Sequence, residues 1–328
     1  MPESGSPTRR QLIATAAALA AWPAAHAQGT KFPSRQIRIV VPFPPGGLTD
    51  AYARLFGEQL TQQLGATVVV ENKSGAGAVI GIDAVAKSPA DGYTLLVTTS
   101  GTVMANRVLY TKLPYNLDKD LTPIAIFPSG PLVVGVAPNV PARNLKEFID
   151  WAKGRDLSLG SYAPGSYPHM LADLFTRSYG LKIQVIHYRG ESPMWVDVAN
   201  NQLQIAVGSY QAFNTVSTRG VKPIGVTGNY RSPRLPEVQT LIEQGATGTL
   251  VPLEGGLVLM APSGTPEAVL QTLSAVVVKG AATGQAAKLR ENFGIPNKPQ
   301  NLAGTRADWD KDVPSWIKAA ADLGVKLD

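Results

Sequence analysis

The apolar run Ile37-Arg38-Ile39-Val40-Val41 stops at Pro42, and a Pro/Gly loop separates it from residues 49–64, where apolar side chains fall at 51, 55, 60 and 64. That change of period predicts strand, loop and helix. Gly65 ends the helix, and Thr67-Val68-Val69-Val70 forms the next apolar run before Asn72-Lys73-Ser74-Gly75. A small-residue helix at 78–86, the turn Pro89-Ala90-Asp91-Gly92 and a strand at 94–98 continue the pattern. Strands alternating with helices predict a parallel sheet covered on both faces.

Pro128-Ser129-Gly130-Pro131 interrupts this order, and the alternation then restarts. Strands are predicted at 132–137, 183–187, 203–207 and 221–227, helices at 145–153, 168–179 and 194–200, and an apolar run at 157–159. Arg231-Ser232-Pro233-Arg234-Leu235-Pro236 reads as an extended connection. A strand at 256–261 and a helix at 266–282 follow, where the chain is expected to return to the first group. A length of 328 residues also predicts two domains. The expected boundaries are 28–127 with 248–328 for the first lobe and 128–247 for the second.

The N-terminus changes how the chain must be read. Thr8-Arg9-Arg10-Gln11 precedes an apolar stretch at 12–22 and then Ala25-His26-Ala27, the order of an export signal with cleavage after Ala27. The stretch is far shorter than the roughly 20 residues that span a bilayer. The Arg9-Arg10 pair also admits twin-arginine export. Removing residues 1–27 leaves 28 basic and 23 acidic side chains, a scattered excess that gives no basic face for nucleic acid. The chain has no cysteine, and its three histidines, His26, His169 and His187, lack metal-ligand spacing; neither a metal nor a cofactor is expected.

Two loops carry candidate chemistry. In Pro42-Phe43-Pro44-Pro45-Gly46-Gly47-Leu48-Thr49-Asp50 the glycines let backbone approach a ligand, and Thr49 or Asp50 is positioned to cap the following helix. A helix N-terminus with unpaired N–H groups suits a carboxylate, although the same residues also describe a plain capped turn. Gly160-Ser161-Tyr162-Ala163-Pro164-Gly165-Ser166 repeats this logic before the helix bearing His169, with a serine-capped helix as the plain alternative. Both loops follow strands of different groups, so one anion held between them is the expected geometry. A hydrolase built on Ser161 or Ser166, a histidine and Asp173 is disfavoured because the Gly-x-Ser-x-Gly elbow is missing. His169 is expected to brace its loop and His187 to pack.

Further motifs run the length of the chain: Phe32-Pro33-Ser34-Arg35, Glu71-Asn72-Lys73, Ser88-Pro89-Ala90-Asp91-Gly92-Tyr93-Thr94-Leu95, Leu113-Pro114-Tyr115, Tyr188-Arg189-Gly190, Arg231 to Val238, and Ala261-Pro262-Ser263-Gly264-Thr265-Pro266. With the loop at 42–50, this series resembles the periplasmic receptors of tripartite tricarboxylate transporters, the Bug proteins. The resemblance implies an α/β, two-lobed type II periplasmic binding protein fold: two doubly wound sheets joined by a hinge, closing over a ligand. It implies a non-enzymatic, monomeric receptor in the periplasm that captures a small carboxylate and delivers it to membrane transporter subunits. The ligand would be a di- or tricarboxylate, an acidic amino acid or an aromatic acid. A receptor signalling to a membrane sensor kinase is the alternative.

The implied ligand-binding residues are Phe43, Pro44, Gly46, Gly47 and Asp50 in the first loop, Ser161, Pro164, Gly165, Ser166 and His169 in the second, and Thr99, Ser100, Tyr188, Ser209 and Tyr210 elsewhere. Two departures bear on specificity: Pro164-Gly165-Ser166 stands where the family usually has Asn-Gly-Ser, and Leu253-Glu254-Gly255-Gly256 where it often has an aromatic residue and Gly. Tyr162, Tyr167 and Tyr210 are candidates for accommodating an aromatic or longer acid.

Overall fold

The computed structural model describes residues 32–327. The expected export signal, residues 1–27 with His26, lies outside the described residues. Residues from Arg35 onward form one compact unit.

Among the described residues that unit holds two five-stranded sheets. The first contains β1 (Ile37–Val41), β2 (Val68–Asn72), β3 (Thr94–Thr99), β4 (Leu121–Pro128) and β10 (Gly256–Pro262), in the order β2-β1-β3-β10-β4. The second contains β5 (Val133–Val136), β6 (Asp156–Ser161), β7 (Lys182–His187), β8 (Ile205–Gly208) and β9 (Lys222–Val226), in the order β7-β6-β8-β5-β9. The central strands β5, β8 and β10 are buried along their whole length, whereas edge strands β2 and β7 are partly exposed. This is why the central strands read as unbroken apolar runs.

The sheets are mixed, which corrects the expectation of parallel ones. β1 pairs parallel with β2 and β3, and β6 with β7 and β8, but β10 is antiparallel to β3 and β4, and β5 to β8 and β9. The reversed strands are the two on which the chain enters a sheet from the other one. A strand made by a β-α-β connection ends at the gap between the sheets, but a strand that has just crossed this gap runs away from it. The crossings, at residues 129–132 and 227–255, are tied together. Ser129 N–H and Oγ donate to Gly255 O at 3.2 and 2.5 Å, and Thr227 N–H donates to Leu132 O at 2.9 Å.

The helices that matter for the site begin at strand ends: α1 (Leu48–Leu64) after β1, α3 (Ser100–Leu109) after β3, α6 (Tyr167–Tyr179) after β6, α7 (Glu191–Ala199) after β7 and α8 (Tyr210–Ser217) after β8. The remaining helices are α2 (Val79–Ala86), α4 (Leu117–Asp120), α5 (Leu145–Ala152), α9 (Glu267–Gly280), α10 (Gly284–Phe293) and α11 (Leu302–Asp322). The sequence reading lacks β4, α3, α4, α8, α10 and α11. In β4, Pro123 argues against a strand, but a register shift beside it, between Leu259 and Met260 of β10, accommodates the missing N–H donor.

The C-terminal helix α11 packs on α3 and β4 of the first sheet. Its Trp316 lies against Gly101, where an added Cβ would sit 2.7 Å from the indole ring. Trp316 also meets Tyr167 of α6 edge-on, with ring centroids 6.1 Å apart, so it touches both halves of the molecule.

Candidate functional site

A cavity of about 310 Å³ opens between the two sheets. Its walls include residues 43–49, Thr99, Gly101 and Thr102, residues 189–193, and Ser209, Gln211 and Ala212. Among the described residues, four helices, α1, α3, α7 and α8, therefore present both N-cap and first turn to one space, two from each sheet. Each N-terminus carries unpaired N–H groups and a partial positive charge, so the arrangement favours an anion. The backbone produces it: strands that end at the gap send their helices back from it.

The first loop is held from behind. Gly46, with φ +94, has the left-handed backbone that glycine adopts without penalty. Its N–H donates to Asp50 Oδ2 at 3.1 Å, and Arg54 binds both Asp50 oxygens at 2.9 and 3.0 Å. Asn72 Nδ2 donates to Asp50 Oδ1 and to Phe43 O, each at 3.0 Å. Burial opposes ionisation of Asp50, but hydrogen bonds from Arg54, Gly46 and Asn72 prevail and hold its carboxyl below the usual range. The N-cap of α1 is Gly47, without a side-chain cap, rather than Thr49 or Asp50 as expected.

Phe43, Pro44, Gly46, Gly47, Thr99 and Ser209 line the cavity. Asp50, Ser161, Pro164, Gly165, Ser166, His169, Tyr188 and Tyr210 do not, and Ser100 lines a neighbouring cavity with Glu254, Asp308 and Asp312. In the second loop Ser161 donates to Ala163 O at 2.8 Å and stands 2.8 Å from Ser166 Oγ, and both serines are buried. The two hydroxyls are thus spent on the loop itself, and Ser166 caps α6 without a side-chain bond. Gly165 N–H donates to His169 Nδ1 at 3.0 Å, a bond that needs the neutral ring. Burial, with His187 nearby, lowers the pKa of His169 to about 4, and the two imidazoles meet edge-on at 4.9 Å. His169 braces the loop, as the sequence suggests.

Tyr188 donates to Asp197 at 2.6 Å and Tyr210 to Asn214 at 3.2 Å, outside the cavity. Tyr162 and Tyr167 do line it, and the Tyr167 hydroxyl donates to Leu250 O at 3.1 Å. The sequence reading missed Arg189, Glu191 and Trp316 on the walls. For the first two a signal existed: Gly190, φ +103, separates β7 from α7 as Gly46-Gly47 separates β1 from α1. For Trp316, more than two hundred residues from the loop at 43–49, there was none.

Glu191 is the acidic group on the cavity wall. Its Oε2 accepts from Ser209 N–H at 3.0 Å and from Ser209 Oγ at 2.6 Å. Burial pushes the Glu191 carboxyl above its usual range, while the Ser209 bonds act in the opposite direction. Among the described residues no group of three His, Asp or Glu side chains is placed to hold a metal ion.

Comparison with known proteins agrees with this architecture. The sequence matches TctC, the tripartite tricarboxylate transporter family receptor, over residues 52–305. It is 33% identical over 300 residues to a UPF0065 protein from the tcbD-tcbE intergenic region of Pseudomonas sp. (strain P51), spanning 90% of this chain and 88% of that one. It is 31% identical over 311 residues to protein BugT of Bordetella pertussis, spanning 93% and 94%. Among solved structures, R. palustris Rpa4515 with adipate superposes with a TM-score of 0.81 at 29% identity, covering 90% of this chain and 99% of that one. MatC of Rhodopseudomonas palustris with bound malate gives 0.78 at 27% identity, covering 88% and 100%.

Two lobes enclosing a cavity define the periplasmic binding protein class, and these superpositions share that fold. The chain belongs to the tripartite tricarboxylate transporter receptors of the Bug family, and is a solute-binding receptor of the TctC type.

Proposed function

We propose that the protein captures a small organic carboxylate between its lobes in the periplasm and delivers it to a tripartite tricarboxylate-type membrane transporter. The observation that carries this reading is the convergence of four helix N-termini on one cavity of about 310 Å³. Adipate in one relative and malate in another, both carboxylates, support the ligand class. Phe43, Pro44, Gly46, Gly47, Thr99 and Ser209 form the walls that receive it. Ser161, Gly165, Ser166 and His169 act indirectly, by fixing the loop that carries Tyr162. The lobes are residues 28–127 with 248–328 and residues 128–247, joined by the two crossings.

A binding role without turnover fits the side chains. Neither His169 nor His187 lines the cavity, and His169 Nδ1 is engaged with Gly165, so neither of these two imidazoles is set to activate a cavity hydroxyl. Export to the periplasm by removal of residues 1–27 belongs to this reading; among the described residues no helix is long and apolar enough to cross a membrane.

The test is a thermal-shift screen of residues 28–328, shown by mass spectrometry to be ligand-free, against mono-, di- and tricarboxylates, amino acids and aromatic acids. A ligand at a hundred times its Kd stabilises the folded state by about 2.7 kcal/mol. One responding class of carboxylate is expected. Silence from every carboxylate would overturn the reading.

A further inference from the structure

The protein's own carboxylate stands at two of the four helix N-termini at the cavity. Glu191 is the first residue of α7, after Gly190, and its Oε2 takes both donors of Ser209, the N-cap of α8. The N-cap of α8 is thereby satisfied from within by an acid carried on the first turn of α7. The N-termini of α1 and α3, on the opposite lobe, have no such internal acid among the cavity-lining residues. Asp50, off the cavity, takes the Gly46 N–H at 3.1 Å. The donors at Gly47, Thr99 and Thr102, whose two threonine hydroxyls are buried without a partner among the described residues, remain for a ligand carboxylate.

We infer that Glu191 sets the specificity of the far end of the cavity, so that the ligand is a carboxylate bearing a hydrogen-bond donor, an ammonium or hydroxyl group, in place of a second carboxylate. Glu191 Oε1 accepts no hydrogen bond from the described side chains or backbone, whereas Oε2 accepts two. A donor on the ligand completes the carboxylate. A second ligand carboxylate would bring two like charges together in an enclosed space, which destabilises the ionised pair. An ammonium reverses the sign of that interaction and makes a charge-assisted hydrogen bond.

The other charged group on the wall is Arg189, which is exposed and forms no ion pair with Glu191. Its charge is screened by solvent, so it attracts anions without cancelling the half-buried acid. Tyr162 stands close enough for the Glu191 charge to add to burial in pushing its phenol up. This specificity distinguishes the chain from the relative solved with adipate, a ligand with a carboxylate at each end.

The inference rests on the receptor reading, and length-matched ligands separate the two. Calorimetry on residues 28–328 would compare succinate with 4-aminobutanoate, glutarate with 5-aminopentanoate, and adipate with 6-aminohexanoate and 6-hydroxyhexanoate. At the chain length that fits, the amino or hydroxy acid is expected to bind at least tenfold more tightly than the dicarboxylate. Glu191→Gln keeps an acceptor for Ser209 and removes the charge. It is expected to lose at least tenfold in affinity for the amino acid while gaining on the dicarboxylate.

Tighter binding of the dicarboxylate to the parent protein would overturn the Glu191 assignment and leave the receptor reading standing. An unchanged preference in a folded Glu191→Gln variant would do the same. Absence of binding by any of the acids would overturn both. The comparison of ligands on the parent protein needs no variant, so a poorly folding Glu191→Gln would not shield the idea.

Discussion

Gly47 tests the site at the scale of one residue, because its backbone does not need glycine. Its φ of −84 and ψ of 176 are ordinary extended values, and an added Cβ would meet nothing within 4 Å. Since Gly47 lines the cavity, the side chain of Gly47→Val would fill space that a ligand uses. The expected result is a change in stability within about 0.5 kcal/mol, as for a substitution without new contacts, and a loss of at least tenfold in affinity by calorimetry. A Kd within twofold of the parent's would mean that the first loop does not touch the ligand. This loop was legible because strand, glycine pair and helix are contiguous in sequence. Asp50 belongs to the same motif, yet its direction depends on Asn72, a partner from the next strand, and that partner turns it into a brace. Ser161 and Ser166 were legible as polar loop residues, but their bond to each other, and not to a ligand, is fixed only by the path of the loop.

At the scale of elements, the strands that close β-α-β units announced themselves, and the pieces that joined the halves did not. β1, β3 and β8 are apolar runs bounded by turn formers, so periodicity found them. α3 starts directly at the end of β3 with no intervening punctuation, and β4 carries prolines that deny it a strand signature. The parallel alternation also could not reveal that β5 and β10 run backwards, since direction follows from crossing between sheets. The contact of α3 with α11 gives a measurable consequence. Replacing a helical glycine by alanine ordinarily favours the helix by up to about 1 kcal/mol. In Gly101→Ala, however, the new Cβ falls 2.7 Å from a Trp316 ring that is also held against Tyr167. Overpacking of this kind costs about 1–3 kcal/mol and outweighs the helix propensity. Urea unfolding of Gly101→Ala should therefore show a lower midpoint with an unchanged slope. A higher midpoint would mean that Trp316 has room to move.

Closure is the property of the whole molecule on which a receptor depends, and the second loop carries its contact. Gly165, between β6 and α6, lies against the end of α3 on the other lobe: an added Cβ would be 2.3 Å from Leu109 Cδ1 and 3.1 Å from Ala105 Cβ. It also has φ +69, so Gly165→Ala incurs a left-handed backbone penalty of about 1–2 kcal/mol. That penalty is the same whether the lobes are together or apart. The clash with Leu109 exists only when they are together, because the two residues belong to different sheets connected by the crossings at 129–132 and 227–255. Gly165→Ala should thus fold cooperatively with a modest loss of stability, yet bind its ligand more weakly than that loss alone would produce. In solution scattering the ligand-saturated variant should keep a larger radius of gyration than the ligand-saturated parent. Equal radii and equal affinities would show that the lobes accommodate the methyl group without separating, and would remove the second loop from the closing surface.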